Sequence, residues 1–141
     1  MAAVARFLAD TSALARLRHP AVDVRLSPLI ENGLVATCGV IELEVRRTAR
    51  NKKEYDAVAS TRTVAYEWLP CNDSEWQRAL DVQQELARRG RLRGVKLPDL
   101  LVAAVAERHG VTVLHYDHDF DLIAGVTGQP VEWIVSRGRA S

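Results

Sequence analysis

The chain has 141 residues, enough for one domain with a core that needs no disulfide or structural metal, and its 48% hydrophobic and 26% charged residues exclude a disordered or fibrous protein. A formal net charge of +1 excludes any argument for nucleic-acid binding from total charge, so only local clustering of basic residues can carry one. Cys38 and Cys71 lack CxxC spacing and fit thiols of a reducing compartment, and no stretch is long and apolar enough to span a bilayer.

Met1-Ala2-Ala3-Val4-Ala5-Arg6 has no basic region ahead of an apolar run, so it reads as the approach to a strand rather than a signal peptide, and the cytoplasm is the expected location. Short apolar runs then alternate with longer helical stretches, which predicts an α/β chain with a largely parallel sheet. Residues 4–9 read as the first strand, and a helix opens at Asp10-Thr11-Ser12 and runs to about Arg18, where His19-Pro20 stops it. Asp23 is the candidate cap of a second helix ending at Asn32-Gly33, with residues 34–37 as the next strand.

The segment from Cys38 to about Ala49 admits two readings. Val40-Ile41-Glu42-Leu43-Glu44-Val45 alternates as a strand would, but the polar continuation to Asp56 carries no turn residue and favours helix. On that helix Glu42 shares a face with Cys38, Val45 and Ala49, while Glu44 points elsewhere. Residues 63–69 read as a strand ended by Pro70, and Asn72-Asp73-Ser74-Glu75 opens an amphipathic helix that stops near Arg89-Gly90. After a basic loop, Pro98 near a helix start, the apolar run 100–106 and Gly110 delimit a central buried helix. Residues 111–116 and 131–135 are the last two expected strands.

Four acidic residues adjoin these apolar segments: Asp10, Glu42, Asp99 and Asp117. Singly, each has an ordinary explanation as a helix cap, a first-turn acid, a turn former or a solvated side chain. Together they suggest a bound divalent cation, because carboxylates held beside a core repel one another and lose hydration. In open α/β sheets the carboxyl ends of the strands gather along one edge, where ligands bind. Oxygen-only donors favour Mg²⁺, or Mn²⁺ in its place, over zinc.

Phe7-Leu8-Ala9-Asp10-Thr11-Ser12-Ala13-Leu14, Glu42-Leu43, Leu97-Pro98-Asp99-Leu100-Leu101-Val102-Ala103-Ala104 and Tyr116-Asp117-His118-Asp119-Phe120, in this order, resemble the motifs of PIN-domain ribonucleases, and among these the VapC toxins of toxin–antitoxin pairs. The resemblance covers almost the full length. It implies one α/β/α domain of three layers over residues 1–141, with a mostly parallel sheet of four to five strands. It further implies a Mg²⁺-dependent endoribonuclease in which Asp10, Glu42, Asp99 and Asp117 hold the metal, Thr11 and Ser12 support the site, and Asp119 is an accessory acid. A water made acidic by the cation would attack the phosphodiester in line. His115-Tyr116 ahead of Asp117 departs from the family pattern, in which a small hydroxylated residue is common.

Arg88-Arg89-Gly90-Arg91-Leu92-Arg93-Gly94-Val95-Lys96 leads directly into Asp99, so Arg89, Arg91, Arg93 and Lys96 are the candidate RNA contacts, against the alternative of a solvated loop after a helix. Arg46, Arg47, Arg50, Lys52 and Lys53 form a second basic cluster that reads first as a helix surface. The apolar positions of the early helices, Leu14, Leu17, Val22, Leu26, Leu29 and Ile30, are candidates for an antitoxin groove as well as for core. The resemblance implies a VapB-like antitoxin, an RNA substrate of tRNA or rRNA class, a homodimer and no membrane. Rival readings are a PIN-like RNA- or protein-binding adaptor without catalysis, and a phosphoaspartate receiver or phosphatase. The last lacks the second aspartate of an Asp-x-Asp nucleophile.

Overall fold

The computed structural model describes residues 3–141. The expectation that Met1 and Ala2 lead into the first strand lies outside those residues. The element order is β1 (Phe7–Ala9), α1 (Thr11–Leu14), α2 (Pro20–Glu31), β2 (Val35–Thr37), α3 (Gly39–Arg46), α4 (Lys52–Ala65), β3 (Glu67–Trp68), α5 (Asp73–Arg88), α6 (Leu97–His109), β4 (Thr112–His115), α7 (Asp119–Thr127) and β5 (Val131–Trp133), with a 3-10 turn at Leu92–Gly94 before α6.

Five parallel strands form one sheet in the order β3-β2-β1-β4-β5. Side chains of a strand alternate between faces, and here they divide into two cores. Leu8, Ala36 and Val113 face one side and pack with buried residues of α3, α5, α6 and α7, including Ile41, Leu86, Val105, Phe120 and Ile123. Ala9, Val35 and Leu114 face the other side and pack with Ala13, Val22, Leu26, Ile134 and Ala140. The result is the expected three-layer α/β/α arrangement, with the upper count of strands.

Helix α6 shows why the centre was readable. Leu100 to Ala106 are all buried, so a helix apolar on every side is required there. Gly110 ends it at φ +68, a left-handed cap that suits glycine. Helix α5 begins with a capping box in which the Asn72 side chain accepts the Glu75 N–H and the Glu75 carboxylate accepts the Asn72 N–H.

Other boundaries moved. The first strand is shorter than residues 4–9, and the first helix closes after one turn at Leu14. His19, not Asp23, caps α2: its Nδ1 accepts the Ala21 N–H at 3.2 Å, and Pro20, expected only as part of the stop after the first helix, is the first residue of the second. The helix expected from Cys38 to Ala49 ends at Arg46, and Asn51 caps a separate helix by accepting the Glu54 N–H at 2.9 Å. That helix runs to Ala65, so the strand expected over residues 63–69 shrinks to Glu67–Trp68. Residues 119–127 form a helix that was not foreseen.

Val22 and Leu26 are fully buried in the core, while Leu14, Leu17, Leu29 and Ile30 are partly buried and pack against it.

Candidate metal centre

The chain order of the sheet reverses at β1, which has β2 on one side and β4 on the other. Such a switch point leaves a crevice beyond the carboxyl ends of the two strands. The register aligns Ala9 with Leu114, so Asp10 and the Tyr116-Asp117 turn emerge side by side. The Asp10 N–H donates to the Leu114 carbonyl at 2.9 Å and holds that alignment past the end of β1.

Asp10 caps α1: its Oδ2 accepts the Ser12 N–H at 3.0 Å. The Ser12 hydroxyl accepts the Tyr116 N–H at 2.9 Å and joins the two strand ends. Asp117 is fixed from both directions, since its N–H donates to His115 Nδ1 at 3.2 Å and its Oδ1 accepts the Asp119 N–H at 2.9 Å. His115, fully buried against Phe120 and Trp133, thus provides local support for Asp117. Asp99 enters from the first turn of α6 and Asp119 from the first turn of α7, and both are buried.

Carboxylate oxygens of Asp99, Asp117 and Asp119 lie within 4.8 Å of one another. Burial raises the Asp10 carboxyl above the ordinary range, and the Asp117 charge adds to the rise. Burial, proton sharing with Asp119 and the Asp10 charge raise Asp99. Burial opposes ionisation of Asp119 too, but the hydrogen bonds with Asp99 and Lys96 outweigh it and hold Asp119 low. Asp10 Oδ1 and Asp99 Oδ2 are buried without a hydrogen-bond partner. Three converging carboxylates, with an unsatisfied oxygen on Asp99 and another on Asp10 at the adjoining strand end, fit a hard divalent cation.

Glu42 stands apart from this group. Its carboxylate accepts from Arg62 Nε at 2.8 Å and from Arg46 Nε at 3.0 Å, and also from the Thr37 hydroxyl. Burial would raise its pKa, yet these partners together lower it. Its neighbour Glu44 is the acid that faces the crevice. Glu44 Oε1 accepts from the Thr11 hydroxyl at 3.4 Å, and burial together with the Asp10 charge raises its pKa. Two residues on a helix are about 200° apart, so only one of the pair can face the crevice. The pattern around Glu42 gives no sign of its partner Arg62, 20 residues further along the chain.

Lys96 also joins the cluster, its Nζ lying 2.6 Å from Asp117 Oδ2 and 2.8 Å from Asp119 Oδ2. Arg89 is exposed and donates to Glu85 and to the Gly125 carbonyl, whereas exposed Arg91 and Arg93 form no ion pair among the described residues. The second basic cluster straddles the break between α3 and α4, where Arg50 and Lys52 pair with Glu54 and Asp56.

The sequence matches the PIN domain family over residues 7–126. It is 47% identical over 135 residues to ribonuclease VapC21 of Mycobacterium tuberculosis, covering 96% of this chain and 98% of the relative. It is also 47% identical over 133 residues to ribonuclease VapC51 of the same organism, covering 94% and 96%. Among solved structures, a DNA-bound VapBC from Salmonella typhimurium superposes with a TM-score of 0.74 at 17% identity, covering 94% of this chain and all of that one.

Proposed function

The chain belongs to the PIN domain family as a VapC-type ribonuclease toxin, and from that membership we propose that it hydrolyses RNA phosphodiesters with Mg²⁺ or Mn²⁺ held by Asp10, Asp99, Asp117 and Asp119, Glu44 replacing Glu42 as the further acid. One observation carries the reading: oxygens of three carboxylates converge within 4.8 Å at the switch point of the sheet. A divalent cation there supplies a water of lowered pKa and positive charge opposite the phosphoryl oxygens.

The residues of the chain do the rest. Ser12 and His115 hold Asp10 and Asp117 in register through main-chain hydrogen bonds, so the donors need little rearrangement. Asp119 and Asp99, each at a helix start, bring charge to the same point from the opposite layer. Arg91 and Arg93, exposed ahead of Asp99 and without an ion pair among the described residues, offer the approaching polyanion a positive edge. An exposed single-stranded loop of a tRNA or rRNA suits such an open edge. Cleavage of tRNA and rRNA fragments by the partner-free chain should require Mg²⁺ or Mn²⁺ and stop with EDTA. Metal-independent cleavage would overturn the reading.

If Arg91 and Arg93 meet phosphates, replacing both with Ala should lower the slope of log affinity against log salt by about 1 to 1.5. Circular dichroism should stay unchanged, and an unaltered slope would leave the loop as a solvated surface only.

A VapB-like antitoxin is the partner, as in the VapBC complexes that share the fold, and the cytoplasm is where toxin, antitoxin and RNA would meet. No described helix is long and apolar enough to cross a membrane. A homodimer would bury the exposed apolar side chains of Trp76, Leu80 and Leu97, which flank a groove of about 260 Å³ between α5 and α6. Leu80→Glu is expected to convert a dimer to a monomer in light scattering without loss of helix content. A dimer that survives the substitution would place the contact elsewhere.

A further inference from the structure

Lys96 immediately precedes α6 and is held to the site in two separate ways. Its backbone N–H donates to Asp119 Oδ2 at 3.0 Å. Its ammonium group lies 2.6 Å from Asp117 Oδ2, 2.8 Å from Asp119 Oδ2 and 3.5 Å from Asp99 Oδ2. These are the three residues whose oxygens converge, so the ammonium pairs with the same carboxylates that a shared cation would use. The side chain is nevertheless 62% exposed. The four-carbon arm can leave without repacking the core, while the backbone contact to Asp119 keeps the residue beside the site.

We propose that Lys96 is a built-in cation that neutralises the carboxylate cluster until a divalent metal displaces it, so that metal and ammonium compete for the same three oxygens. The proposal rests on the metal-site reading above. Two positive charges cannot share so small a space without strong repulsion, and a divalent ion takes more from three carboxylates than a monovalent group does. Without a metal, the ammonium keeps the acidic ends of α6, α7 and the β4 turn from repelling one another. Once displaced, it stays at the edge of the crevice, where a phosphate would approach.

The chain has three lysines, Lys52, Lys53 and Lys96, which makes the displacement directly readable in the unaltered protein. Competitive acetylation followed by mass spectrometry should show Lys96 labelled several-fold faster at saturating Mg²⁺ than in EDTA, with Lys52 and Lys53 unchanged. In parallel, Mn²⁺ affinity measured by electron paramagnetic resonance should be about fivefold or more tighter in Lys96→Met than in wild type, as expected when a competing ligand is removed. Lys96→Met in EDTA should also melt at a lower temperature than wild type. Mn²⁺ binding that depends on Asp99, with Lys96 labelling and Lys96→Met affinity unmoved, would overturn this proposal alone. No Mn²⁺ binding by wild type would overturn the metal-site reading and this proposal with it. If Lys96→Met does not fold, the labelling of wild type still decides.

Discussion

Asp99→Asn is expected to lower metal-dependent RNA cleavage by on the order of 10²–10³-fold, the range for loss of one group that stabilises developing charge. The same substitution should make the metal-free protein more stable. Asp99 is 4% exposed, and burial, proton sharing with Asp119 and the Asp10 charge all act to raise its pKa. Ionised and without metal, it opposes folding, and an uncharged side chain of the same shape removes that opposition, worth roughly 1–2 kcal/mol.

The pH dependence has a definite sign. A group whose folded pKa is raised binds its proton more tightly in the folded state, so it contributes most to stability below its unfolded pKa of about 3.9. That contribution is lost as pH rises through the folded pKa, and Asp10 behaves as Asp99 does. Asp119, held low, works in the opposite direction but only below the ordinary carboxylate range. From pH 5 toward neutrality the EDTA-treated protein should therefore lose stability through this site. The Mg²⁺-induced rise in Tm should grow over the same interval, because the ion takes deprotonated oxygens. Thermal melts at pH 5, 6, 7 and 8 with and without Mg²⁺ test both trends. A Mg²⁺ increment that does not change with pH, or is as large in Asp99→Asn as in wild type, would remove Asp99 from the metal centre.

The parts of this fold that were legible in the sequence are those where one physical requirement decides the outcome. An apolar run bounded by Pro98 and Gly110 can only be a helix buried on all sides, and apolar strands ending at Asp10 and Asp117 place two acids on the same sheet edge. The less legible parts turn on competition between local preference and distant contacts. Thr63 and Val64 are β-branched and favour a strand, yet α4 continues to Ala65 because Arg62, inside it, must reach Glu42 while its guanidinium lies over the Tyr66 ring. Helix α7 contains Gly125 and Thr127, weak helix formers, and owes its start to Asp119, which accepts the Lys96 N–H across the site. Both contacts span 20 or more residues of chain, beyond the reach of any local pattern.

The choice between Glu42 and Glu44 is the sharpest case, and paired substitutions separate the two roles. Arg62→Ala is expected to destabilise the protein by about 3–5 kcal/mol, since it leaves the Glu42 carboxylate buried without its main partner. Glu42 is 5% exposed and Arg62 8%, so water cannot easily replace the lost contact. Glu42→Gln should likewise lower Tm while cleavage by the folded fraction stays within a few-fold of wild type. Glu44→Gln should do the reverse. Glu44 lies within hydrogen-bond reach of Thr11, the first residue of α1, and feels the Asp10 charge, but unlike Glu42 it forms no ion pair among the described residues. Its loss should leave Tm near that of wild type and reduce cleavage by on the order of 10–100-fold, the range for residues supporting a metal site. Urea melts and single-turnover cleavage on the same preparations give both readouts. If Glu42→Gln abolishes cleavage at unchanged Tm, Glu42 leaves its ion pair to join the metal centre and the assignment of Glu44 falls. If both variants cleave normally, the site works with the four aspartates alone.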